Sequence, residues 1–295
     1  MSRFVSVLRM IRFEHSVFAL PFALSGAWIA AGGLPPARDL VGIVVAAVAA
    51  RSAAMAFNRL VDRDFDATNP RTAGRELVRG VLSPSWTGGF VAVCSALFVA
   101  ASFWLAPVCG WLSLPVLAVL LGYSFLKRFT LACHLGLGLA LGLAPAGAWL
   151  AVRKGFTAGW TEPLWVGAGV LCWVAGFDLL YALQDLEHDR RQGLHSFPAR
   201  FGAGRTRAAA ALLHLLALAA FLGLGRRAGF GTAYHLGVLA CALLLAAEHW
   251  LLRDGRLDRV PLAFFQVNAW VSVAFFAGLA ADYALADGGA GSLLG

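Results

Sequence analysis

The sequence predicts an all-α integral membrane protein: nine transmembrane helices, two four-helix repeats plus one, around a central cavity. Three observations carry that reading. The 295 residues have a mean hydropathy of +0.73 and are 60% hydrophobic and 14% charged, more apolar than soluble domains. Charge is absent from long blocks, with no Asp, Glu, Lys or Arg between Arg79 and Lys127 or between Arg128 and Arg153. Apolar runs of about 18 residues or more are long enough to cross a bilayer as helices. The period-two alternation of a closed barrel, the other permitted membrane fold, is missing.

The spans fall near 15–33, 39–58, 85–105, 110–126, 131–151, 163–183, 208–224, 232–250 and 262–282. Pro35-Pro36, Pro107, Arg153–Gly155 and Arg226–Gly229 mark turns between them. The chain reads as one polytopic domain, 1–295, with residues 1–14 as an interfacial segment. That segment is basic, and no small-residue cleavage site follows an early apolar core, so it does not read as a signal peptide. As a helix it can turn Phe4, Leu8 and Ile11 to lipid and Arg3, Arg9 and Arg12 to headgroups.

The net charge of +8 reports loop asymmetry rather than a nucleic-acid partner. If the crossings alternate, 18 of the 24 Lys and Arg share the side of the N-terminus. The opposite side holds Arg38, Arg153, Lys154, Arg226 and Arg227, and Arg51 lies within the second span. This bias places the N-terminus inside, in the cell's inner (plasma) membrane, with the even-numbered connections cytoplasmic. Cys94, Cys109, Cys133, Cys172 and Cys241 sit in apolar segments without a CxxC pair and read as small buried side chains.

The two halves echo each other. SGAW at 25–28 returns as AGAW at 146–149, and Asp62 and Asp66 return as Asp185 and Asp189. Each half runs small-residue helix, second helix, acidic motif, then two further spans, as in a parallel internal repeat. In the first motif Asn58, Asp62 and Asp66 are spaced i, i+4, i+8 and share one helix face. In the second, Asp178, Tyr181, Asp185 and Asp189 form a matching stripe. Like charges at that spacing repel, and carboxylates beside a bilayer are costly. A divalent cation offsets both, and ligands of oxygen alone favour Mg²⁺ over zinc. Because Mg²⁺ is commonly held by carboxylates together with substrate phosphates, the two stripes suggest a clamp on a diphosphate. Lys127, Arg128 and Arg71, on the same membrane side, suit its oxygens, and Arg51 projects to the same face deeper in the bilayer. Asp64, Glu187, Arg63 and Arg190 read as solvated helix-end charges. A cation transporter would set such acids near the midplane on broken helices, whereas these fall at span ends.

Read as N58-RLV-D62-RDF-D66 and D178-LL-Y181-ALQ-D185-LEH-D189, the motifs resemble the paired signatures of the UbiA superfamily of intramembrane prenyltransferases. The resemblance covers nearly the whole chain. FEHSVFALPF (13–22), NPRT (69–72), YSFLKRFT (123–130) and HSFPARFG (195–202) are similar to the 4-hydroxybenzoate polyprenyltransferase-like subgroup, some of whose members serve a menaquinone route through dihydroxynaphthoate. One departure is that Arg59 follows the motif asparagine where many relatives carry Asp. The resemblance implies Mg²⁺-dependent transfer of a polyprenyl group to an aromatic hydroxy acid in ubiquinone or menaquinone biosynthesis. It makes Asp62, Asp66, Asp185, Asp189 and Tyr181 catalytic, with Asn58, Asp62, Asp66, Asp178, Asp185 and Asp189 around the metal. Asn58, Arg71, Lys127, Arg128 and Arg51 would bind diphosphate, and Arg12, His15 and Asn268 the acceptor. Other branches use haem, chlorophyllide or glycerol phosphate acceptors. Glu14 reads as a helix-start partner of His15, Glu248-His249 as an interfacial span end, and His195 as part of a lid.

Overall fold

The computed structural model describes residues 3–12, 16–253, 260 and 263–291, and every regular element among them is helical. An N-terminal helix α1 (Arg3–Met10) is followed by α2 (Ser16–Ala31), α3 (Ala37–Val61), the short α4 (Arg63–Thr68), α5 (Pro84–Leu105) and α6 (Pro107–Leu126). The second half runs α7 (Cys133–Gly142), α8 (Ala144–Arg153), α9 (Glu162–Ala182), the short α10 (Leu186–Arg191), α11 (Phe197–Ala228) and α12 (Thr232–Leu251). A π-helical turn (Ala263–Val267) leads into α13 (Asn268–Gly291).

Helix ends follow local chemistry. Ser83 caps α5 by accepting from the Trp86 N–H at 3.2 Å, and Pro84 and Pro107 open α5 and α6, where no N–H is needed. Gly229 closes α11 in the left-handed region at φ 70°. The fifth expected span is two helices, because Pro145 at the start of α8 cannot donate back into α7. The seventh runs far beyond 208–224, starting at Phe197 and bending at Gly202 (φ 77°). Among the described residues, eight segments are long and apolar enough to span a membrane, counting α7 with α8 and α9 with α10. The 16-residue α2 falls below that length.

The repeat is visible in packing. α3 lies against α5 and α9 against α11, at equivalent places in the two halves. The two small-residue helices, α2 and α8, pack on each other, with Gly26 against the Pro145 carbonyl. α7 and α9 approach backbone to backbone, where a Cβ on Gly142 or Gly167 would lie 2.7 or 2.5 Å from the other's carbonyl oxygen. An aromatic core of Phe22, Trp149, Trp173, Phe221 and Phe275 ties α2, α8, α9, α11 and α13 together, with Phe221 and Phe275 ring centres 4.3 Å apart. Opposite the acidic motifs, Lys154 Nζ meets Asp39 at 2.6 Å and joins α8 to α3. In α1, Phe4 is exposed, but Ile11 packs with Met10, Leu77 and Leu82. The expectation that Ile11 faces lipid is corrected: the loop after the first motif covers it.

Candidate active site

Both acidic motifs share one backbone device. α3 stops at Asp62 (φ −90°, ψ 6°), and the six residues of α4 follow. α9 passes through a 3₁₀ turn to Asp185 (φ −101°, ψ 5°), and the six residues of α10 follow. The stripes expected on continuous helices are therefore bent at equivalent aspartates. The bend keeps the Asp62 and Asp66 N–H bonds to Asn58 and Asp62 oxygens, at 2.9 and 2.8 Å. It turns Asp66, Asp185 and Asp189 into the protein, each less than a tenth exposed.

The segment after the first motif then reaches across to the second. Asn69 Nδ2 donates to Asp185 Oδ1 at 2.8 Å, Arg71 pairs with both Asp185 oxygens, and Arg71 Nη1 donates to the Tyr181 hydroxyl at 2.9 Å. Gln192, beyond α10, donates to Thr68 of α4 at 3.4 Å. The other carboxylates are matched in turn. Arg75 Nη1 lies 2.5 Å from Asp66, Arg128 Nη2 3.6 Å from Asp62, and His134 Nδ1 2.6 Å from Asp178. Lys127 Nζ sits 2.7 Å from Asp189 Oδ1, yet off the direction of a hydrogen bond, so both buried Asp189 oxygens lack a hydrogen-bond partner. Asn58 Nδ2 donates to Asp62 Oδ2 at 2.8 Å, which leaves its own carbonyl oxygen available.

These side chains line a cavity of about 290 Å³. Asn58, Asp62, Asp66, Arg71, Lys127, Arg128, Asp178, Tyr181, Asp185, Asp189, Arg51 and Arg12 are all on its wall. Arg51, Met55, Tyr123, Leu137 and Leu141 also line a second, mostly apolar cavity of about 550 Å³ between α3, α5, α6, α7 and α8. The charged site thus adjoins an oily one, with these five residues as the common wall. Surface charges behave as expected: Arg63–Asp64 and Arg190–Glu187 form exposed pairs at 3.8 and 3.3 Å, of little energetic weight.

Burial and partners set the charges of the site. Burial raises the Asp62 carboxyl above 3.8, reinforced by Asp66 and opposed by Arg128. Burial by itself would lower Lys127, but Asp189 overrides it and holds the ammonium above its ordinary value. Arg71 is likewise raised: burial opposes its charge, and the bond to Asp185 outweighs it.

Some expectations need correction. Asn268 is fully buried away from this cavity. Its Oδ1 accepts from Trp173 Nε1 and its Nδ2 donates to Glu248 Oε1, both at 2.9 Å, so it joins α9, α12 and α13 rather than meeting an acceptor. Glu248, expected at the interface, is 1% exposed for the same reason. His15 and Glu14 lie outside the described residues. Asp178 is engaged by His134, which the motif spacing does not single out, and neither does it single out Arg75; Asn69 stands in the NPRT segment and Arg59 beside the motif asparagine, both without a role assigned from sequence. The i+3 spacing of Asn69 from Asp66 was a usable signal, whereas His134 lies 44 residues from its partner. His195 lies in a loop joined to the site: its N–H donates to the Lys127 carbonyl at 2.8 Å, and its carbonyl accepts from Cys133 at 3.7 Å.

Hard oxygen donors, among them the Asp189 oxygens that accept no hydrogen bond, suit a divalent cation. Among the described residues, however, no three His, Cys, Asp or Glu side chains converge on one point. An ion here would need oxygens from a bound anion to complete its shell.

Fold and site together define a helical membrane protein that gathers two acidic motifs around a cavity lined by carboxylates and cations. The chain belongs to the UbiA prenyltransferase family, which it matches over residues 19–279. It is 34% identical to a 4-hydroxybenzoate octaprenyltransferase of Paracidovorax citrulli, over 96% of each chain, and 33% identical to one of Azoarcus sp., over 93% of this chain and 95% of that one. Its fold is similar to the apo structure of a UbiA homolog from Aeropyrum pernix K1 (TM-score 0.84, 33% identity, 91% of this chain and 98% of that one). It is also similar in fold to a UbiA homolog from Archaeoglobus fulgidus bound to DMAPP and Mg²⁺ (TM-score 0.64, 17% identity, 92% and 99%).

Proposed function

We propose that the protein transfers a polyprenyl group from polyprenyl diphosphate to an aromatic hydroxy acid, 4-hydroxybenzoate or a dihydroxynaphthoate, in quinone biosynthesis. The observation that carries this reading is the shared wall of the two cavities: a chamber of about 290 Å³ lined by matched cations and carboxylates adjoins a mostly apolar one of about 550 Å³. The similarity to 4-hydroxybenzoate octaprenyltransferases supports the same substrates. Asn58, Asp62, Asp66, Asp185 and Asp189 would hold Mg²⁺, and Asp178 serves His134. When bound, the ion neutralises the diphosphate and stabilises its departing oxygens.

The rest is done by the chain. Lys127, Arg71 and Arg128, now paired with carboxylates, turn to phosphate oxygens as those carboxylates are engaged. Asn69 keeps Asp185 oriented. The Tyr181 ring, 5.2 Å from Arg71 Cζ, faces the chamber and offers a π surface to the allylic cation left when the C–O bond breaks. The apolar walls exclude water that would trap that cation. The ring carbon ortho to the hydroxyl attacks it and then loses its proton. We read residues 1–295 as one domain, with α2 as the first of nine crossings, the N-terminus inside and the motifs at the cytoplasmic face of the inner membrane.

The test uses membranes containing the protein, a polyprenyl diphosphate, Mg²⁺, and 4-hydroxybenzoate or dihydroxynaphthoates offered separately, with product read by mass. The expected result is a prenylated ring that vanishes with a chelator. Product from haem, chlorophyllide or glycerol phosphate in its place would move the acceptor. A Mg²⁺ flux in proteoliposomes that persists in Asp62→Ala would favour transport instead.

A further inference from the structure

Arg59 stands apart from the other charges of the polar cavity. It lies on α3 between Asn58 and Asp62, lines the cavity, and is 8% exposed. The motif carboxylates are already matched: Asp66 to Arg75, Asp62 to Arg128, Asp185 to Arg71, Asp189 to Lys127 and Asp178 to His134. Among the described residues Arg59 makes no hydrogen bond or ion pair with any of them. The fields of Arg75 and Arg12 bear on it with the same sign as its own charge, and Asp66, which opposes them, is spent on Arg75. A guanidinium desolvated beside other cations costs stability unless an anion meets it.

We infer that Arg59 receives the carboxylate of the aromatic acceptor. This rests on the prenyl-transfer reading and adds a specificity-determining residue to it. The charge balance decides between the two anions the site must hold. A diphosphate draws on cations released from the motif carboxylates as these are engaged, and Lys127, Arg71 and Arg128 supply them. Arg59 has no carboxylate to release. It offers one unmatched charge on a planar fork, which fits one bidentate carboxylate. An acid held there lies beside the first motif, within the chamber that Tyr181 shares. Arg12 lines the same cavity with its guanidinium 6.0 Å from the Phe265 ring, so this corner is both cationic and aromatic.

The experiment compares the full-length wild type, R59Q and R59K in lipid, with polyprenyl diphosphate, Mg²⁺, and either 4-hydroxybenzoate or its uncharged amide, 4-hydroxybenzamide. Binding of 4-hydroxybenzoate is titrated alongside turnover. In R59Q, kcat/KM for the acid should fall by about 100-fold, the weight of a buried charge pair losing one partner. The amide rate and the KM for prenyl diphosphate should hold, and R59K should recover part of the loss. An unchanged prenyl diphosphate KM also shows that the variant is folded. Equal losses for acid and amide, or a raised KM for prenyl diphosphate with acid affinity intact, would overturn the assignment. If the wild type prenylates neither ring but binds the acid in an Arg59-dependent way, the catalytic reading fails and this one stands. A wild type that neither prenylates nor binds the acid overturns both.

Discussion

Each motif carboxylate in this site lies beside a basic side chain of the protein, and the pairing makes single residues informative. Asp185 receives Asn69 and both arms of Arg71, so Asp185→Ala removes a donor and frees Arg71 at once. Turnover should fall by about 10²–10³-fold, the usual scale for losing one preorganised electrostatic group, with helical circular dichroism unchanged. Near-normal activity would exclude the carboxylate clamp. Lys127→Ala should raise the KM for prenyl diphosphate more than that for the aromatic acid, and it leaves fully buried Asp189 unmatched. Asp62 gives a pH dependence of definite sign. Burial first, then Asp66, raise its carboxyl above 3.8, so the folded protein holds that proton more tightly than the unfolded chain. Its contribution to stability is present below the unfolded value and is lost as pH rises through the folded one. An ionised Asp62 is therefore a cost at neutral pH that a bound divalent ion would relieve. Thermal melts should show a larger Mg²⁺-induced rise in Tm at neutral than at acidic pH, and an equal rise at both would remove Asp62 from the metal set.

At the scale of elements, the decisive feature is that α3 and α9 end on their motif aspartates and restart as six-residue helices. The turn redirects Asp66 and Asp189 inward and lets the following segment cross to the other repeat. The precision of the α7–α9 contact matters for the same reason, since α7 carries His134 and α9 carries Asp178, 2.6 Å apart. Gly142 and Gly167 permit that approach. Gly167→Val should push the helices apart at a cost of about 1–3 kcal/mol, read as a lowered Tm in detergent together with reduced turnover. A variant with unchanged Tm would show that the contact can relax.

For the molecule as a whole, two cavities with a common wall set a charged chamber beside an oily one. Ala54 is 6% exposed and lines the apolar cavity. Ala54→Phe should lower kcat/KM for long prenyl diphosphates about 10–100-fold relative to short ones, the weight of 1–3 kcal/mol of steric clash. Competition between two chain lengths, with products separated by mass, checks this. Equal effects on both would place the tail elsewhere.

The membrane class, most span positions, the repeat and both acidic motifs were legible in the sequence, because apolar run length and helical spacing are local properties. NPRT pointed to Arg71 for the same reason, lying within a few residues of Asp66. The pairings were not legible. Asn69 with Asp185, His134 with Asp178 and Asn268 with Glu248 and Trp173 join residues 116, 44, 20 and 95 positions apart. Which face each helix turns inward depends on the helix it packs against. Asn268 shows the consequence: a polar residue in an apolar span must find a partner inside the bundle, but only the packing of α9, α12 and α13 decided that the partner was protein rather than substrate. The sequence by itself determined what chemistry the protein carries; the tertiary structure decided which charges are matched and, among the described residues, left Arg59 on the cavity wall without a carboxylate partner, because charge balance is a property of the assembled site and not of any one helix.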